Sequence, residues 1–535
     1  MGDVQEEGLR GDLEFGTIPG LLFTAAERHG AAAAIEDVDA GVTLTFEELR
    51  DNALHAAGAL IDAGIEPGDR LAIWAPNIWE WVVAGLGIHC AGGVLVPLNT
   101  RFKGAEAAHV LRHSRARMLF TVTDFLDTDY VEMLTRAVDL DTDLPHLERI
   151  VTIRGTHPRA QVYDDFLASA HTDATGRAQD VKPDDLSDML FTSGTTGAPK
   201  GVMTTHAQNL RAFRDWADVV GLRTGDRYLV VNPFFHAFGY KAGWLSALMT
   251  GATVLPHLAF DPVQVLERIP RDRISMLPGP PALFQQILAR PDLDAYDLST
   301  LRLAVTGAAP TPVSLIEEMR TRLGFESVIR GYGLTEAAGI ATMGRHDDDL
   351  ETIATTDGRA IPGIEVEIVD DDGKEVPRGE PGEVVIRGYN VMLGYFDQAD
   401  ETAETIDGDG WLHTGDVGVM DDRGYIRITD RMKDMYIVGG FNAYPAEIEG
   451  LMAAHPQIAQ VAIVGVPDGR LGECGWAFVV PRAGETIVAA ELIAWCRETM
   501  ANYKVPRQVV VVDALPMNAS NKVLKYELRA RATDN

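Results

Sequence analysis

Apolar and polar residues alternate along this chain in two regular patterns. Thr45 and Glu48 form a T-x-x-E capping box, and apolar residues over 49–61 recur on one helical face until Gly64 ends the predicted helix. Short apolar runs typical of buried strands alternate with such helices, at 70–74, 94–98, 118–122, 150–153, 228–231, 252–255, 274–277, 301–306 and 327–329. This alternation predicts parallel sheets covered by helices.

The pattern changes near residue 364. From there the apolar runs become short, and Asp/Gly turns separate them, as at 370–373, 407–410 and 421–424. Turn residues at such close spacing indicate an antiparallel β region.

The end of the chain has a pattern of its own. Strands at 461–466, 476–480 and 508–512 and a helix at 489–500 predict a small α+β unit. The fold class is therefore α/β. We expect a large N-terminal domain of helix-covered sheets with a β-rich subdomain at 1–429, a charged hinge at 430–434 and a small mobile domain at 435–535.

Length, composition and charge narrow the class of protein. A chain of 535 residues is too long for a single hydrophobic core, and its length indicates about two to four domains. The net charge of −32 argues against a nucleic-acid partner and against an anionic membrane surface. Cys90, Cys474 and Cys496 are isolated in the sequence, which argues against a zinc site or a disulfide framework and favours a reducing cytoplasm.

The sequence predicts neither a membrane span nor a targeting signal. The stretch 81–98 has no Asp, Glu, Lys or Arg, but its glycines and Pro97 break it into a buried helix, a turn and a buried strand. The N-terminus lacks the apolar core of a secretory signal, and the last three residues are not the peroxisomal tripeptide. We therefore expect a cytoplasmic location.

The most informative segment is the loop that follows the apolar run 189–191. It is rich in hydroxyl groups and glycines and reads Thr192, Ser193, Gly194, Thr195, Thr196, Gly197, Ala198, Pro199, Lys200, Gly201. Glycines let backbone N–H groups converge on an anion, while hydroxyls and a lysine add donors and charge. This composition predicts a polyphosphate site, with a polar hairpin loop as the alternative.

Two common nucleotide motifs do not fit. In the P-loop pattern a lysine directly follows the second glycine, whereas here two residues separate Gly197 from Lys200, and Gly201 stands where a Ser or Thr is needed. The dinucleotide fingerprint fails because Cys90 replaces the small residue required after Gly85 and Gly87. The loop instead resembles, nearly letter for letter, that of the adenylate-forming superfamily, which includes acyl-CoA synthetases, peptide-synthetase adenylation domains and luciferases.

Further motifs of this superfamily follow in order and imply the nucleotide contacts. Gly307, Ala308 and Ala309 match the segment along the adenine and the acyl pocket. The motif Gly331, Tyr332, Gly333, Leu334, Thr335, Glu336 matches the adenine and magnesium motif. There the resemblance implies that Tyr332 stacks on the base, Thr335 contacts the α-phosphate and Glu336 binds Mg²⁺, for which a carboxylate is a suitable hard ligand.

The resemblance also implies roles for residues nearer the C-terminus. Asp416 matches the ribose-binding aspartate, Arg431 a second ribose or phosphate contact, and Lys433 the pivot of the hinge. Gly439, Gly440 and Phe441 match the loop that lines the pantetheine arm of coenzyme A.

Lys522 matches the catalytic lysine that bridges the substrate carboxylate and the α-phosphate. Asn521 replaces the usual glycine before it, and Asn tolerates positive φ best among the other residues. Lys525 is a nearby rival for the same role. The resemblance therefore implies an acyl-CoA synthetase that uses ATP, Mg²⁺, coenzyme A and a small carboxylic acid, with a domain rotation between its two half-reactions.

Two segments, 232–243 and 277–281, carry information about the substrate. They resemble those of the actinobacterial ligases of steroid-ring catabolism, which activate a ring propanoate. His236 matches the gate of the pantetheine channel and would act in catalysis. The implied acyl pocket comprises Phe235, His236, Tyr240, Lys241 and Gly333. Lys241 is either exposed or in the pocket, where it would favour a ketone, a hydroxyl or a second carboxylate.

Alternatives remain open. They are a medium-chain fatty or aryl acid as substrate, a carrier-protein-loading adenylation enzyme, and a non-catalytic nucleotide-binding protein. An amino-acid substrate is disfavoured because 232–241 offers a lysine and no aspartate to hold an ammonium group. The oligomeric state stays open, with a homodimer among the options.

Overall fold

The computed structural model describes residues 14–192, 199–307, 311–431, 434–438, 441–468, 471–500, 502–517 and 523–533. By their contacts these residues group into two compact units, one of Met1–Val366 with Ile386–Leu412 and the other of Glu367–Val385 with His413–Asn535. The hinge and domain borders expected near 430–434 stay a prediction.

The strands, in chain order, are Ala33–Asp37 (β1), Val42–Thr45 (β2), Arg70–Trp74 (β3), Val94–Pro97 (β4), Met118–Val122 (β5), Arg149–Arg154 (β6), Gln161–Val162 (β7), Leu186–Thr192 (β8), Lys200–Thr205 (β9), Arg227–Val230 (β10), Thr253–Pro256 (β11), Leu303–Gly307 (β12), Ser327–Tyr332 (β13), Thr342–Met343 (β14), Arg359–Ala360 (β15), Ile364–Val369 (β16), Gly382–Gly388 (β17), Gly394–Tyr395 (β18), Leu412–Met420 (β19), Ile426–Arg431 (β20), Tyr436–Val438 (β21), Phe441–Ala443 (β22), Ile458–Asp468 (β23), Gly472–Pro481 (β24) and Gln508–Val511 (β25).

The α-helices are Ile18–His29 (α1), Phe46–Asp62 (α2), Trp79–Cys90 (α3), Gly104–Ser114 (α4), Tyr130–Ala137 (α5), Leu140–Asp143 (α6), Tyr163–Leu167 (α7), Thr175–Asp180 (α8), His206–Val220 (α9), Ala237–Gly239 (α10), Ser246–Thr250 (α11), Pro262–Asp272 (α12), Pro281–Leu288 (α13), Val313–Thr321 (α14), Leu350–Thr355 (α15), Ala399–Thr405 (α16), Pro445–Ala453 (α17), Ala489–Thr499 (α18) and Lys525–Thr533 (α19). Short 3₁₀ turns at Leu293–Ala295 and Thr335–Ala337 and a π-helix at Tyr240–Leu245 complete the elements.

The first unit contains an eight-stranded sheet of order β18-β9-β8-β4-β3-β5-β6-β7. Strands β3, β4, β5, β6 and β7 run parallel to one another, while β8 and β9 form an antiparallel hairpin. The capping box of Thr45 and Glu48 is present at the start of α2 as predicted. All residues of α3 except Trp79 are buried, as is β4, which explains why the stretch 81–98 carries no charge.

Two four-stranded sheets lie beside each other in the same unit, with orders β10-β11-β1-β2 and β12-β13-β14-β15. A strand was predicted over 274–277, but the structure has a single bridging residue there. Met276 pairs in parallel with both Tyr228 and Leu303 and so joins the two sheets. The apolar run reflects this buried position between two sheets, and its pairing is too short to count as a strand.

Most residues of the sheet with strand order β16-β17-β19-β20 belong to the second unit. In it β19 and β20 are antiparallel, as predicted for this region. The second unit also holds a five-stranded sheet of order β22-β21-β24-β23, with β25 parallel to β24. Helices α17, α18 and α19 belong to this α+β part. Across the described ranges, none of the helices has the length and apolar character needed to cross a membrane.

Candidate functional site

The β8–β9 hairpin carries the ends of the predicted phosphate loop. Thr192, the last residue of β8, pairs with Lys200, the first residue of β9, so these two side chains start next to each other. Both residues are half-buried. Ser193, Gly194, Thr195, Thr196 and Gly197, predicted to contact phosphates, lie outside the described residues.

The carboxylate of Glu336 lies against this hairpin. Glu336 belongs to the 3₁₀ turn that follows β13, immediately after Thr335, and both residues are half-buried. The Thr192 hydroxyl donates to Glu336 Oε1 at 3.4 Å, and the Tyr395 hydroxyl donates to the same oxygen at 3.0 Å. The structure therefore brings together the predicted metal ligand and one end of the phosphate loop.

Tyr395 was missed by reasoning from sequence. Its ring lies under the Lys200 ammonium, with Nζ 4.9 Å from the ring centroid, and its hydroxyl contacts Glu336. Burial and the neighbouring Glu336 carboxylate raise the pKa of this phenol, so it remains a hydrogen-bond donor at neutral pH. The sequence signal is only an aromatic residue after Gly394, where the chain adds β18 to the edge of β9.

The donor set near Lys200 suits a magnesium ion that travels with a polyphosphate. Mg²⁺ in such sites takes one or two protein carboxylates and completes its coordination with phosphate oxygens and water. Glu336 supplies one carboxylate, which the Thr192 and Tyr395 hydroxyls contact, and the Tyr395 ring in turn faces Lys200. Within the described ranges there is no group of three or more His, Cys, Asp or Glu side chains suited to a metal.

Glycines allow the chain to fold tightly around the predicted adenine motif. Gly307 pairs with Gly331 across β12 and β13, and a Cβ at Gly307 would lie 2.7 Å from the Gly331 carbonyl oxygen. A Cβ at Gly333 would lie 2.4 Å from the Gly339 carbonyl oxygen, so that position also excludes a side chain. Tyr332, at the end of β13, is half-buried beside this turn. Ala308 and Ala309 lie outside the described residues.

His236 immediately precedes the short helix α10. Its imidazole is exposed to solvent, yet desolvation by the surrounding protein lowers its pKa and the Lys241 ammonium lowers it further. The Phe238 backbone N–H donates to His236 Nδ1 at 3.2 Å. Because Nδ1 accepts this bond, the neutral ring carries its proton on Nε2, which is then free to donate to another group.

Lys241 is buried, which excludes the alternative that it is exposed on the surface. Its ammonium contacts Asp188 Oδ1 at 3.0 Å and Thr204 Oγ1 at 3.1 Å, and both charged side chains are no more than 1% exposed. Asp188 also accepts bonds from Ser187, Thr204 and Asn209. Burial lowers the pKa of Lys241, and the contact with Asp188 opposes that change.

The remaining predicted acyl-pocket residues differ in exposure. Phe235 is half-buried. Tyr240 is fully buried, stacks on Trp244 with ring centroids 4.8 Å apart, and shares a 3.0 Å hydrogen bond with Nε2 of the buried His89. Desolvation lowers the pKa of His89 to about 3, so this imidazole is neutral. The Tyr240 N–H also donates to the His236 carbonyl at 2.9 Å, which ties the two residues together through the backbone.

The second unit holds the predicted ribose contacts. Asp416 is buried in β19 and pairs in register with Arg431 of β20, so the two predicted nucleotide contacts stand opposite each other in one sheet. Glu383 of β17 shapes the turn before Asp416, accepting from the Gly415 N–H at 3.0 Å and contacting His413 Nδ1 at 2.8 Å. Gly415 has φ +67°, which suits a glycine.

The C-terminal part places one of the two candidate lysines. Lys525 pairs with the half-buried Glu449 at 2.8 Å, and Glu449 also accepts from the Ile463 N–H at 2.7 Å. Phe441 begins β22. Lys433, Gly439, Gly440 and Lys522, for which a pivot, coenzyme A contacts and catalysis were predicted, lie outside the described residues.

Comparison with known proteins covers nearly the whole chain. Residues 22–396 match the family of AMP-binding enzymes, and residues 447–522 match the AMP-binding enzyme C-terminal domain. A "3-[(3aS,4S,7aS)-7a-methyl-1,5-dioxo-octahydro-1H-inden-4-yl]propanoyl:CoA ligase" from Rhodococcus jostii is 48% identical over 519 residues, covering 96% of this chain and 98% of the relative. The ligase of the same name from Mycobacterium tuberculosis is 50% identical over 516 residues, again covering 96% and 98%.

The fold also agrees with solved structures. The crystal structure of the anthranilate CoA ligase AuaEII in complex with anthranoyl-AMP matches with a TM-score of 0.87 and 28% identity, covering 97% of each chain. This match confirms the predicted α/β fold class with its large and small parts.

Proposed function

We propose, because this chain belongs to the family of AMP-binding enzymes, that its site joins a carboxylic acid to AMP and then passes the acyl group to coenzyme A. The prediction of an AMP-forming acyl-CoA synthetase is confirmed by the family and by full-length relatives that are CoA ligases. The observation that carries the proposal is the placement of Glu336, Thr192 and Lys200 together at the ends of the phosphate loop.

In the first half-reaction a carboxylate oxygen of the acid attacks the α-phosphorus of ATP. The bond from that phosphorus to the bridging oxygen breaks, and pyrophosphate leaves. Positioning and charge neutralisation suffice for such a transfer, and a covalent enzyme intermediate is not required. Lys200 would hold the β- and γ-phosphates, Thr335 the α-phosphate, and Lys522 the two anions as they approach each other.

Other residues would hold the nucleotide. Glu336 would bind Mg²⁺, which when present neutralises phosphate charge. We propose that Tyr332 stacks on the adenine beside the segment 307–309 and that Asp416 accepts the ribose hydroxyls, with Arg431 as a further contact. Asp416 and Arg431 stand in register in one sheet, which supports this pairing of roles.

In the second half-reaction the sulfur of coenzyme A attacks the acyl carbon, the thiol proton is lost and AMP leaves. We propose that a rotation about Lys433, within 430–434, withdraws Lys522 and brings the segment 439–441 to the pantetheine arm. His236 would form the gate between this arm and the acyl pocket, since its ring is exposed and accepts the Phe238 N–H at Nδ1, which leaves the Nε2–H as a donor. A cytoplasmic location and a homodimer remain further parts of the proposal.

For the substrate we propose a ring propanoate of the kind named for the two relatives, a propanoate side chain on a methylated dioxo-octahydroindene. The state of Lys241 supports a ketone-bearing acid. Its charge is already matched by Asp188, so the pocket gains little from a second carboxylate. An ammonium has three N–H donors, and contacts with Asp188 and Thr204 use two of them. We propose that the third N–H binds a ring ketone.

The test is an assay of AMP and acyl-CoA formation from ATP and coenzyme A with three acids: the ring propanoate, octanoate and ferulate. We expect the highest kcat/KM for the ring propanoate, and AMP release that requires the acid. An analogue lacking both ring ketones should lose about 1–3 kcal/mol of binding, the cost of leaving a buried donor unpaired. Preference for octanoate or ferulate would favour the fatty- or aryl-acid alternative, and absence of AMP formation with every acid would contradict the synthetase assignment.

A further inference from the structure

Tyr395 touches both the carboxylate and the cation of the phosphate site, although none of the superfamily motifs used above contains it. Its hydroxyl donates to Glu336 Oε1 at 3.0 Å, and the face of its ring lies 4.9 Å from Lys200 Nζ. From these two contacts we propose that Tyr395 is a positioning residue that presents Glu336 to Mg²⁺ and holds Lys200 toward the phosphates. The inference rests on the proposed function, in which Glu336 binds the metal.

The hydrogen bonds on Glu336 fall on one of its two carboxylate oxygens. Tyr395 and Thr192 both donate to Oε1, and across the described residues no protein donor is recorded on Oε2. Two hydroxyl donors on one oxygen fix the rotation of the carboxylate. The other oxygen is then left for a cation, as a monodentate ligand requires. Hydrogen bonds that orient a metal ligand in this way typically change metal affinity by about 10–100-fold.

The backbone around Tyr395 makes its side chain a rigid support. Tyr395 pairs with Val202 of β9, and Phe396 N–H donates to the Gly201 carbonyl at 2.8 Å, so β18 is fixed to the strand that begins with Lys200. The Tyr395 N–H donates to Thr402 Oγ1 at 2.9 Å. The Glu336 backbone is fixed to the same segment, because its carbonyl accepts from the Met392 N–H at 2.8 Å.

The ring and the hydroxyl have separate functions in this proposal. A lysine over an aromatic face gains electrostatic attraction, which a phenylalanine ring retains and an aliphatic side chain loses. Tyr395→Phe therefore removes the hydroxyl, with its bonds to Glu336 and Thr405, and keeps the ring under Lys200, whereas Tyr395→Leu removes the hydroxyl and the support of Lys200. The two variants should differ in the affinity for ATP measured without metal.

The experiment measures two dissociation constants on each full-length variant. The first is that of Mn²⁺, by electron paramagnetic resonance, in the presence of α,β-methylene ATP, which does not react. The second is that of the same nucleotide in EDTA, by calorimetry. We expect Tyr395→Phe to weaken Mn²⁺ binding by about 10–100-fold and to leave metal-free nucleotide binding unchanged. Tyr395→Leu should in addition weaken metal-free binding by about two- to five-fold.

Tyr389→Phe is the matched control. The Tyr389 hydroxyl also donates to a carboxylate, Asp215, at 2.6 Å, so the same chemical change is made at a residue outside the phosphate site. Both dissociation constants should stay at their wild-type values. Because each constant is measured on one preparation, a loss of folded protein lowers the number of sites and leaves the constant itself unchanged.

Glu336→Gln separates this inference from the proposed function. If Glu336→Gln weakens Mn²⁺ binding and Tyr395→Phe does not, the role of Tyr395 is wrong while the metal assignment stands. If Glu336→Gln binds Mn²⁺ as tightly as the wild type, the metal assignment is wrong and the role of Tyr395 is overturned with it. Equal effects of Tyr395→Phe and Tyr395→Leu on metal-free nucleotide binding would overturn the role of the ring.

Discussion

The ammonium of Lys241 and the carboxylate of Asp188 form a 3.0 Å ion pair inside the first unit, where both side chains are almost completely excluded from solvent. Asp188 belongs to β8, which ends at the phosphate loop, and Lys241 lies in the π-helix that follows His236. The pair therefore connects the strand that leads into the predicted phosphate loop to the segment of the proposed acyl pocket. Burying two charges is costly, and only good geometry and additional hydrogen bonds offset that cost.

Removing one partner of this pair should strongly destabilise the protein. Lys241→Met leaves the Asp188 charge buried without its cation, and we expect a loss of about 3–5 kcal/mol in the free energy of unfolding, measured in urea. Adding Asp188→Asn to the Lys241→Met variant should restore part of the lost free energy of unfolding. Arg136→Met serves as control, because its pair with Glu132 is exposed and should contribute less than about 1 kcal/mol. Equal losses for Lys241→Met and Arg136→Met would contradict the ion-pair account.

The charge of Lys241 also predicts the direction in which the His236 pKa moves. The ammonium contributes to lowering that pKa, so Lys241→Met should raise it toward the ordinary value. Asp188→Asn should lower it further, because it removes a compensating negative charge. NMR titration of the imidazole, assigned with His236→Gln, measures both. Shifts in the same direction in the two variants would indicate a structural disturbance in place of an electrostatic effect.

Lys522→Ala should abolish acyl-AMP formation and spare the second half-reaction. Loss of one preorganised donor to developing charge typically costs about 10²–10³ in rate, and this lysine would bridge two anions, so we expect at least that loss in pyrophosphate release. Conversion of supplied acyl-AMP and coenzyme A to thioester should continue. Lys525→Ala is the control, since Lys525 already pairs with Glu449. Equal loss of both half-reactions in Lys522→Ala would refute the proposed role.

Lys525 should matter for stability, in a pH-dependent way. Burial raises the pKa of Glu449, and Lys525 opposes this. In Lys525→Ala the pKa of Glu449 in the folded state should rise further above its unfolded value. The carboxyl is then protonated at low pH at little cost, and stability falls as the pH rises through the folded-state pKa. We expect the difference in free energy of unfolding from wild type to be small near pH 4 and to reach about 1–3 kcal/mol at pH 8. A difference independent of pH would exclude this explanation.

The positions of several buried strands were accessible from the sequence. Parallel buried strands are continuous apolar runs, so 70–74 and 118–122 were predicted with the bounds the structure has. The loop at 192–201 predicts a phosphate site because its glycines, hydroxyls and lysine can all donate to an anion, and this role stays a prediction. The prediction of a strand at 274–277 was wrong. Apolar composition indicates that a segment is buried, but it does not indicate how many of its residues pair with a neighbouring strand.

Contacts between distant residues were not accessible in this way. Tyr395 lies 59 positions from Glu336 in sequence, and only the addition of β18 to β9 brings their side chains together. The partner of Lys241 was likewise hidden, because Asp188 stands beside Ser187, just before the apolar run 189–191. An acid next to a buried strand indicates that a partner exists, but it carries no information about which lysine or arginine that partner is.

The tight turn after β13 yields a last prediction, for Gly333→Ala. The added Cβ would lie 2.4 Å from the Gly339 carbonyl oxygen and 2.5 Å from Ile340 Cα, and both are backbone atoms that cannot rotate away. The turn must therefore open and displace Tyr332 and Glu336, which flank it. A shift of about 1 Å at such a site costs up to about 100-fold in rate, so ATP–pyrophosphate exchange should fall steeply. Gly176→Ala is the control, because its Cβ would meet no atom within 4 Å. A folded Gly333→Ala variant must move the backbone that the new Cβ meets. Unchanged exchange in this variant would therefore show that the function of the adenine motif does not depend on the close approach at Gly333.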